Sequence, residues 1–170
     1  MIARQLDNLF SDWNAANTPG CAIGVVRGDR LVYSTAYGVR DINNPTPSDE
    51  DTTFDIGSEA KQVTGASVLL LANDSAVNLD ADVHEYVPEL PDYGHRVTVD
   101  HLVHHTSGIP EYYDRMMDAG LFEKPCTLPN VLEFLIDEAK LDFVPGDAFG
   151  YSNSGYALLA VLVERVTGMS

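Results

Sequence analysis

Phe54-Asp55-Ile56-Gly57-Ser58-Glu59-Ala60-Lys61-Gln62 is the stretch whose reading decides the fold. At its centre lies a Ser-x-x-Lys quartet, Ser58 to Lys61, at the head of an apolar run. Val63, Ser67, Leu70 and Leu71 recur at helical spacing and predict a helix from about Glu59 to Asn73. Residues three apart share a helix face, so Lys61 comes within reach of the Ser58 hydroxyl. That hydroxyl stands at the positive end of the helix, beside backbone N–H groups with no partner in the helix. A serine alcohol is a weak nucleophile until a neighbour takes its proton, and a desolvated lysine can do so. Gly57, without a side chain, allows close approach of a ligand. The plain alternative is an N-cap serine followed by a solvated lysine.

Outward from this stretch, the N-terminal side reads as a helix and a hairpin. Leu6, Leu9, Phe10 and Trp13 sit at helical spacing within Ala3 to Ala16, and Asn17-Thr18-Pro19-Gly20 ends that helix. Cys21–Val26 and Leu31–Tyr37 read as strands joined through Arg27-Gly28-Asp29-Arg30, a tight hairpin. Gly38 to Asp51 reads as a polar connection. A lone hairpin is not a stable sheet, and no further strand is evident, so the chain looks unfinished.

On the other side, Asn78 to Pro91 reads as a surface loop with one short turn. Thr98 to His105 reads as a short helix stopped by Ser107-Gly108, and Pro110 to Pro125 as an irregular aromatic loop. Leu128 to Lys140 predicts a helix with Pro129 in its first turn and Val131, Leu132, Leu135 and Ile136 as core stripe. Gly155 to Thr167 predicts a last apolar helix. Before it stands Pro145-Gly146…Tyr151-Ser152-Asn153 on a turn whose side chains can face a cleft. A tyrosine near a lysine can share in moving a serine proton, and an asparagine amide can hold a substrate amide. Equally, Tyr151 can anchor a turn and Asn153 cap a helix.

Composition narrows the classes. At 170 residues and 45% hydrophobic content, the chain can bury one ordinary core. A net charge of −16 argues against nucleic acid as a partner, because a phosphate backbone needs basic patches. Aspartate outnumbers glutamate, and Lys61, Lys124 and Lys140 are the only lysines, a pattern shared by salt-adapted and by ordinary acidic proteins. No apolar run approaches a membrane span and the N-terminus encodes no secretory signal. That implies a cytoplasmic protein, or a periplasmic or secreted one if a leader lies outside this sequence. Cys21 and Cys126 show neither metal spacing nor a disulfide framework, Cys21 reading as a buried small residue. His101, His104 and His105 cluster without the carboxylate or cysteine partners of a metal site.

Taken together, Gly57-Ser58-Glu59-Ala60-Lys61-Gln62, His105-Thr106-Ser107-Gly108-Ile109 and Pro145-Gly146…Tyr151-Ser152-Asn153-Ser154-Gly155-Tyr156 closely resemble the serine β-lactamase-like superfamily. The match is to its branch of class C enzymes, D-Ala-D-Ala carboxypeptidases, esterases and D-aminopeptidases, and covers essentially the whole chain as an N-terminal half. Pro19-Gly20 before the hairpin and Leu79-Asp80…Tyr86-Val87-Pro88 after the Ser58 helix fit the same order.

The resemblance implies an α/β (α+β) fold in two parts. Residues 1–57 would give a helix and the first two strands of an α/β domain, and 58–170 the Ser-x-x-Lys helix and a helical domain. It implies Ser58 as the nucleophile that forms an acyl-enzyme, Lys61 and Tyr151 as a coupled unit moving its proton, and Asn153 as a substrate-binding group. The Ser58 backbone N–H would form half of an oxyanion hole. Tyr112, with Tyr113 and Met116, is a candidate lining of the cleft, and His105 to Gly108 is read as structural. No cofactor and no metal is implied. Substrates would be esters, D-amino-acid peptides or β-lactams.

The family's third motif, Lys-Thr-Gly or His-x-Gly on a later strand, does not follow Tyr151. The chain is therefore read as an incomplete fold lacking its C-terminal strands, or as a homo-oligomer that covers its open hairpin edge. A non-catalytic remnant that binds acyl-peptides is the alternative reading.

Overall fold

A computed structural model describes residues 2–121 and 126–169. Met1, Ser170 and the end of the aromatic loop, with Lys124 and Pro125, lie outside them. The chain divides between Asp55 and Ile56 into two compact units.

The first unit begins with α1 (Ile2–Leu9) and a short 3-10 turn at Ser11–Trp13. The helix is shorter than its apolar spacing predicts, because the Ser11 hydroxyl donates to the Asn8 carbonyl at 3.0 Å and competes with the helical ladder. Antiparallel β1 (Cys21–Arg27) and β2 (Arg30–Tyr37) follow, turning at Gly28, whose φ of +65° a two-residue hairpin turn requires. The register slips between Val25 and Val26, a bulge that leaves Val32 without an opposite number. Cys21 is half-buried, not buried as its apolar strand suggests.

The segment after the hairpin is not a plain connection. It forms a second antiparallel pair, β3 (Val39–Asp41) with β4 (Thr46–Pro47). The Asp41 carboxylate accepts the backbone N–H groups of Asn43 and Asn44 at 2.9 and 3.2 Å, and so drives the chain reversal. Strands this short and polar carry no alternation by which sequence could show them.

The second unit is helical. A 3-10 turn at Gly57–Glu59 runs into α2 (Ala60–Asn73). α3 (Val99–Val103), α4 (Tyr112–Asp118), α5 (Leu128–Ile136) and α6 (Asn153–Thr167) follow. α6 is the central element, packed on by α2, α3 and α5. Its Leu158, Leu159 and Leu162 are at most 1% exposed, and each contributes about 2 kcal/mol of apolar burial. Val68, Val83, Val87, Val97, Val99 and Leu102 close the same core.

α2 lies where its spacing predicts, yet Val63 and Leu70 are exposed and Gly65 and Val68 form the buried face. α5 ends at Ile136 rather than Lys140, because Asp137 and Glu138 place negative charge at its negative end. Within the supposed irregular loop, Tyr112–Asp118 is a helix whose Met116 is 3% exposed, so Met116 belongs to the core and not to a cleft.

Candidate active site

The backbone before α6 is built as a cradle for Tyr151. Residues 105–108 run beside 142–150, with Gly146 N–H donating to Thr106 O, Gly150 N–H to His105 O and Asp142 N–H to Gly108 O at 2.8–2.9 Å. Gly108 is required there: its φ is +73°, and a Cβ would stand 2.1 Å from the Phe143 carbonyl oxygen. His105 itself has a φ of +57°, uncommon for a residue with a side chain, and its ring accepts the Ser152 N–H at Nδ1 at 3.0 Å. The proton of the neutral ring is therefore on Nε2. That ring stacks on Tyr151 with centroids 4.7 Å apart and lies 4.9 Å from Tyr156. Burial, then the Lys61 charge, push its pKa down and keep it neutral.

Two side chains converge on the Ser58 hydroxyl. Tyr151 OH donates to Ser58 Oγ at 2.6 Å, and Lys61 Nζ donates to the same oxygen at 3.2 Å. The ammonium also lies 4.9 Å from the Tyr151 ring centroid. The hydrogen bonding of Lys61, and then of Ser58, lowers the Tyr151 pKa below that of an ordinary phenol. Ser58 sits on the 3-10 turn leading into α2, with Gly57 before it at φ +51° and open space where its Cβ would be. Tyr151 is 48% exposed and Ser58 is exposed as well, so a ligand in solvent can reach the pair.

Asn153 joins the group by a route that the sequence does not suggest. Its Oδ1 accepts from Lys61 Nζ at 2.7 Å, and its Nδ2 donates to Glu111 Oε2 at 2.8 Å. Both ends of the amide are thus engaged inside the protein. The Nδ2 group retains one further hydrogen for a ligand, fewer contacts than the paired donor and acceptor that its residue type offers. The helix cap is its neighbour Ser152, whose hydroxyl accepts the Gly155 N–H at 2.9 Å.

Glu111 is the site residue that sequence reasoning missed. Besides Asn153 Nδ2, its carboxylate accepts the backbone N–H of Asn153 at 2.5 Å and of Ser154 at 3.2 Å. Nothing in Ile109-Pro110-Glu111-Tyr112 distinguishes it from a surface acid. The one signal was its place just beyond His105 to Gly108.

Tyr112 is tied to the site through its backbone, its N–H donating to Ser154 Oγ at 2.9 Å. Its ring packs against the core and stacks on Tyr113 at 4.5 Å, and burial raises its phenol pKa. Among the described residues no group of three or more His, Cys, Asp or Glu side chains is arranged to hold a metal ion. No described helix is long and apolar enough to cross a membrane.

Comparison with known proteins identifies the family of the chain. A family model described as Beta-lactamase matches residues 6–170. Protein flp of Staphylococcus aureus is 28% identical over 98% of this chain, and penicillin-binding protein 4* of Bacillus subtilis 27% identical over 98%. The chain spans about a third of the length of these curated relatives, 34% and 37%. Among solved structures, the octameric penicillin-binding protein homologue from Pyrococcus abyssi superimposes with a TM-score of 0.84 at 30% identity, over 100% of this chain and 40% of its own.

Proposed function

The chain belongs to the Beta-lactamase family, and on that premise we propose that it carries the acylation centre of a serine hydrolase. The observation that carries the reading is the double hydrogen bond into Ser58 Oγ, from Tyr151 OH at 2.6 Å and Lys61 Nζ at 3.2 Å. In the reactive form Tyr151 has released its phenolic proton, a loss that Lys61 favours, and its oxygen then accepts the Ser58 proton as Oγ attacks a substrate carbonyl. The carbonyl π-bond opens to an oxyanion, and the Ser58 backbone N–H, at the head of α2, supplies one of the donors facing it. Collapse re-forms the carbonyl and expels the leaving group, which takes the proton held by the Tyr151–Lys61 pair. Water then repeats the sequence, adding to the ester carbonyl and returning Ser58 as an alcohol. The chemistry closes on protein groups and water alone.

Substrates are esters, D-amino-acid peptides or β-lactams, with a broad esterase or peptidase activity favoured over dedicated β-lactam destruction. The remaining Nδ2 hydrogen of Asn153 faces the acyl side of the substrate, and Tyr112, next to Glu111, forms part of the wall. Assembly into homo-oligomers is proposed by analogy with the octameric homologue from Pyrococcus abyssi.

Hydrolysis of p-nitrophenyl acetate, a D-alanyl anilide and a chromogenic cephalosporin ranks the three classes. Ser58→Ala is expected to reduce the best of the three rates by about a thousandfold or more. Turnover that survives this change would sink the proposal.

A further inference from the structure

We propose that Glu111 is a positioning residue that fixes which end of the Asn153 amide faces Lys61, and thereby holds Lys61 against Ser58. The inference rests on the serine-hydrolase reading for its catalytic meaning, but its structural content stands separately.

An asparagine amide has one accepting and one donating end of nearly equal size, so its neighbours choose between two orientations. Lys61 Nζ, which donates at 2.7 Å, fits only the Oδ1 end. Glu111, whose two carboxylate oxygens accept three N–H groups, fits only the Nδ2 end, at 2.8 Å. A flipped amide would set two donors face to face at Lys61 and two acceptors face to face at Glu111. The carboxylate also makes the Asn153 oxygen a better acceptor, since hydrogen bonds in series polarise one another.

Glu111 is itself held firmly. Two backbone N–H groups at the start of α6 donate to Oε1, from Asn153 at 2.5 Å and Ser154 at 3.2 Å. On either side of it in sequence, Ser154 Oγ donates to the Pro110 carbonyl at 2.6 Å and accepts the Tyr112 N–H at 2.9 Å. The order Glu111–Asn153–Lys61–Ser58 is thus a line of contacts in which each group orients the next, the arrangement that an activated nucleophile requires.

The test uses the 170-residue chain labelled with nitrogen-15. The Asn153 side-chain amide, assigned with Asn153→Ala, should exchange slowly with solvent in the unmodified protein. In Glu111→Gln, where an NH2 group replaces an acceptor, that protection should fall at least about tenfold. Ser154→Ala, which loosens the same segment without touching the amide, should keep the protection, as should Glu111→Asp, which retains an acceptor-only head group. Protection that persists in Glu111→Gln overturns the proposal.

Acylation by p-nitrophenyl acetate supplies the catalytic reading. Glu111→Gln should lower the acylation rate constant about tenfold with KM nearly unchanged, and should add nothing once Asn153 is alanine. Additive losses in the double variant would show that Glu111 does not act through Asn153. A chain that protects the amide as expected, yet is never acylated, would keep the positioning role and end the hydrolase reading.

Discussion

The two sides of the Asp55–Ile56 boundary bury their apolar residues in different ways. Before it, two short antiparallel strand pairs leave Tyr37 and Val39 as the deeply buried apolar side chains among the described residues, while Val26, Leu31 and Val32 stay mostly exposed. Beyond it, α6 is wrapped by other helices, and Val68, Val83, Leu102, Leu158, Leu159 and Leu162 are all but sealed from solvent. Every side chain in the Ser58 network comes from this second unit. Two-stranded sheets have marginal stability of their own, whereas a helix buried along one whole face resists opening. The contacts of a few ångströms that join Ser58, Lys61, Tyr151, Asn153 and Glu111 therefore lie in the part of the chain with the more deeply buried core.

Hydrogen exchange should expose this difference most strongly. Backbone amides of Leu158 to Leu162 are expected to exchange at least about a hundredfold more slowly than the paired amides of β1 and β2. Equal protection would break the comparison. Truncation of the core comes next in size. Leu162→Ala should cost about 2–5 kcal/mol in urea unfolding, against about 1–2 kcal/mol for Val39→Ala in the first unit. A larger loss at Val39 would reverse the ranking.

The smallest expected effect concerns the surface of the second unit, where Arg165 grips Glu89 with both guanidinium nitrogens. Hydrogen bonding to Arg165 holds the Glu89 carboxyl down at about 2, from an ordinary 4.5. A depressed carboxylate adds stability that is fully present above the ordinary value and lost as pH falls toward the folded one. The stability gap between the unmodified chain and Arg165→Gln should therefore shrink from pH 4.5 down to about 2. At this partly exposed pair it should be under about 1 kcal/mol even at neutral pH. A gap independent of pH would show that the pair acts by packing alone.

Much of this arrangement was legible because it is written in local patterns. β-branched runs around Gly28-Asp29 gave β1 and β2, and three-residue spacing placed Ser58 and Lys61 on one turn. The pairing of Ser58 with Tyr151 came from the order of motifs, since nothing local joins residues so far apart in the chain. What stayed hidden depends on tertiary contact. Glu111 looks like any surface acid until α6 brings three N–H donors to it. α4 was obscured by Pro110 and its aromatic residues, and β3 and β4 by their length. The exposure of Val63 and Leu70 shows a further limit, since their spacing predicts a helix without choosing its buried face.

The most direct test of the central claim is the intact mass of the protein after incubation with p-nitrophenyl acetate, beside a Ser58→Ala control. The Ser58 network predicts one added acetyl group, mapped by peptide digestion to Ser58 and missing from the control. A folded chain that gains no acetyl group, or gains it equally in Ser58→Ala, would contradict the claim that Lys61 and Tyr151 make Ser58 a nucleophile.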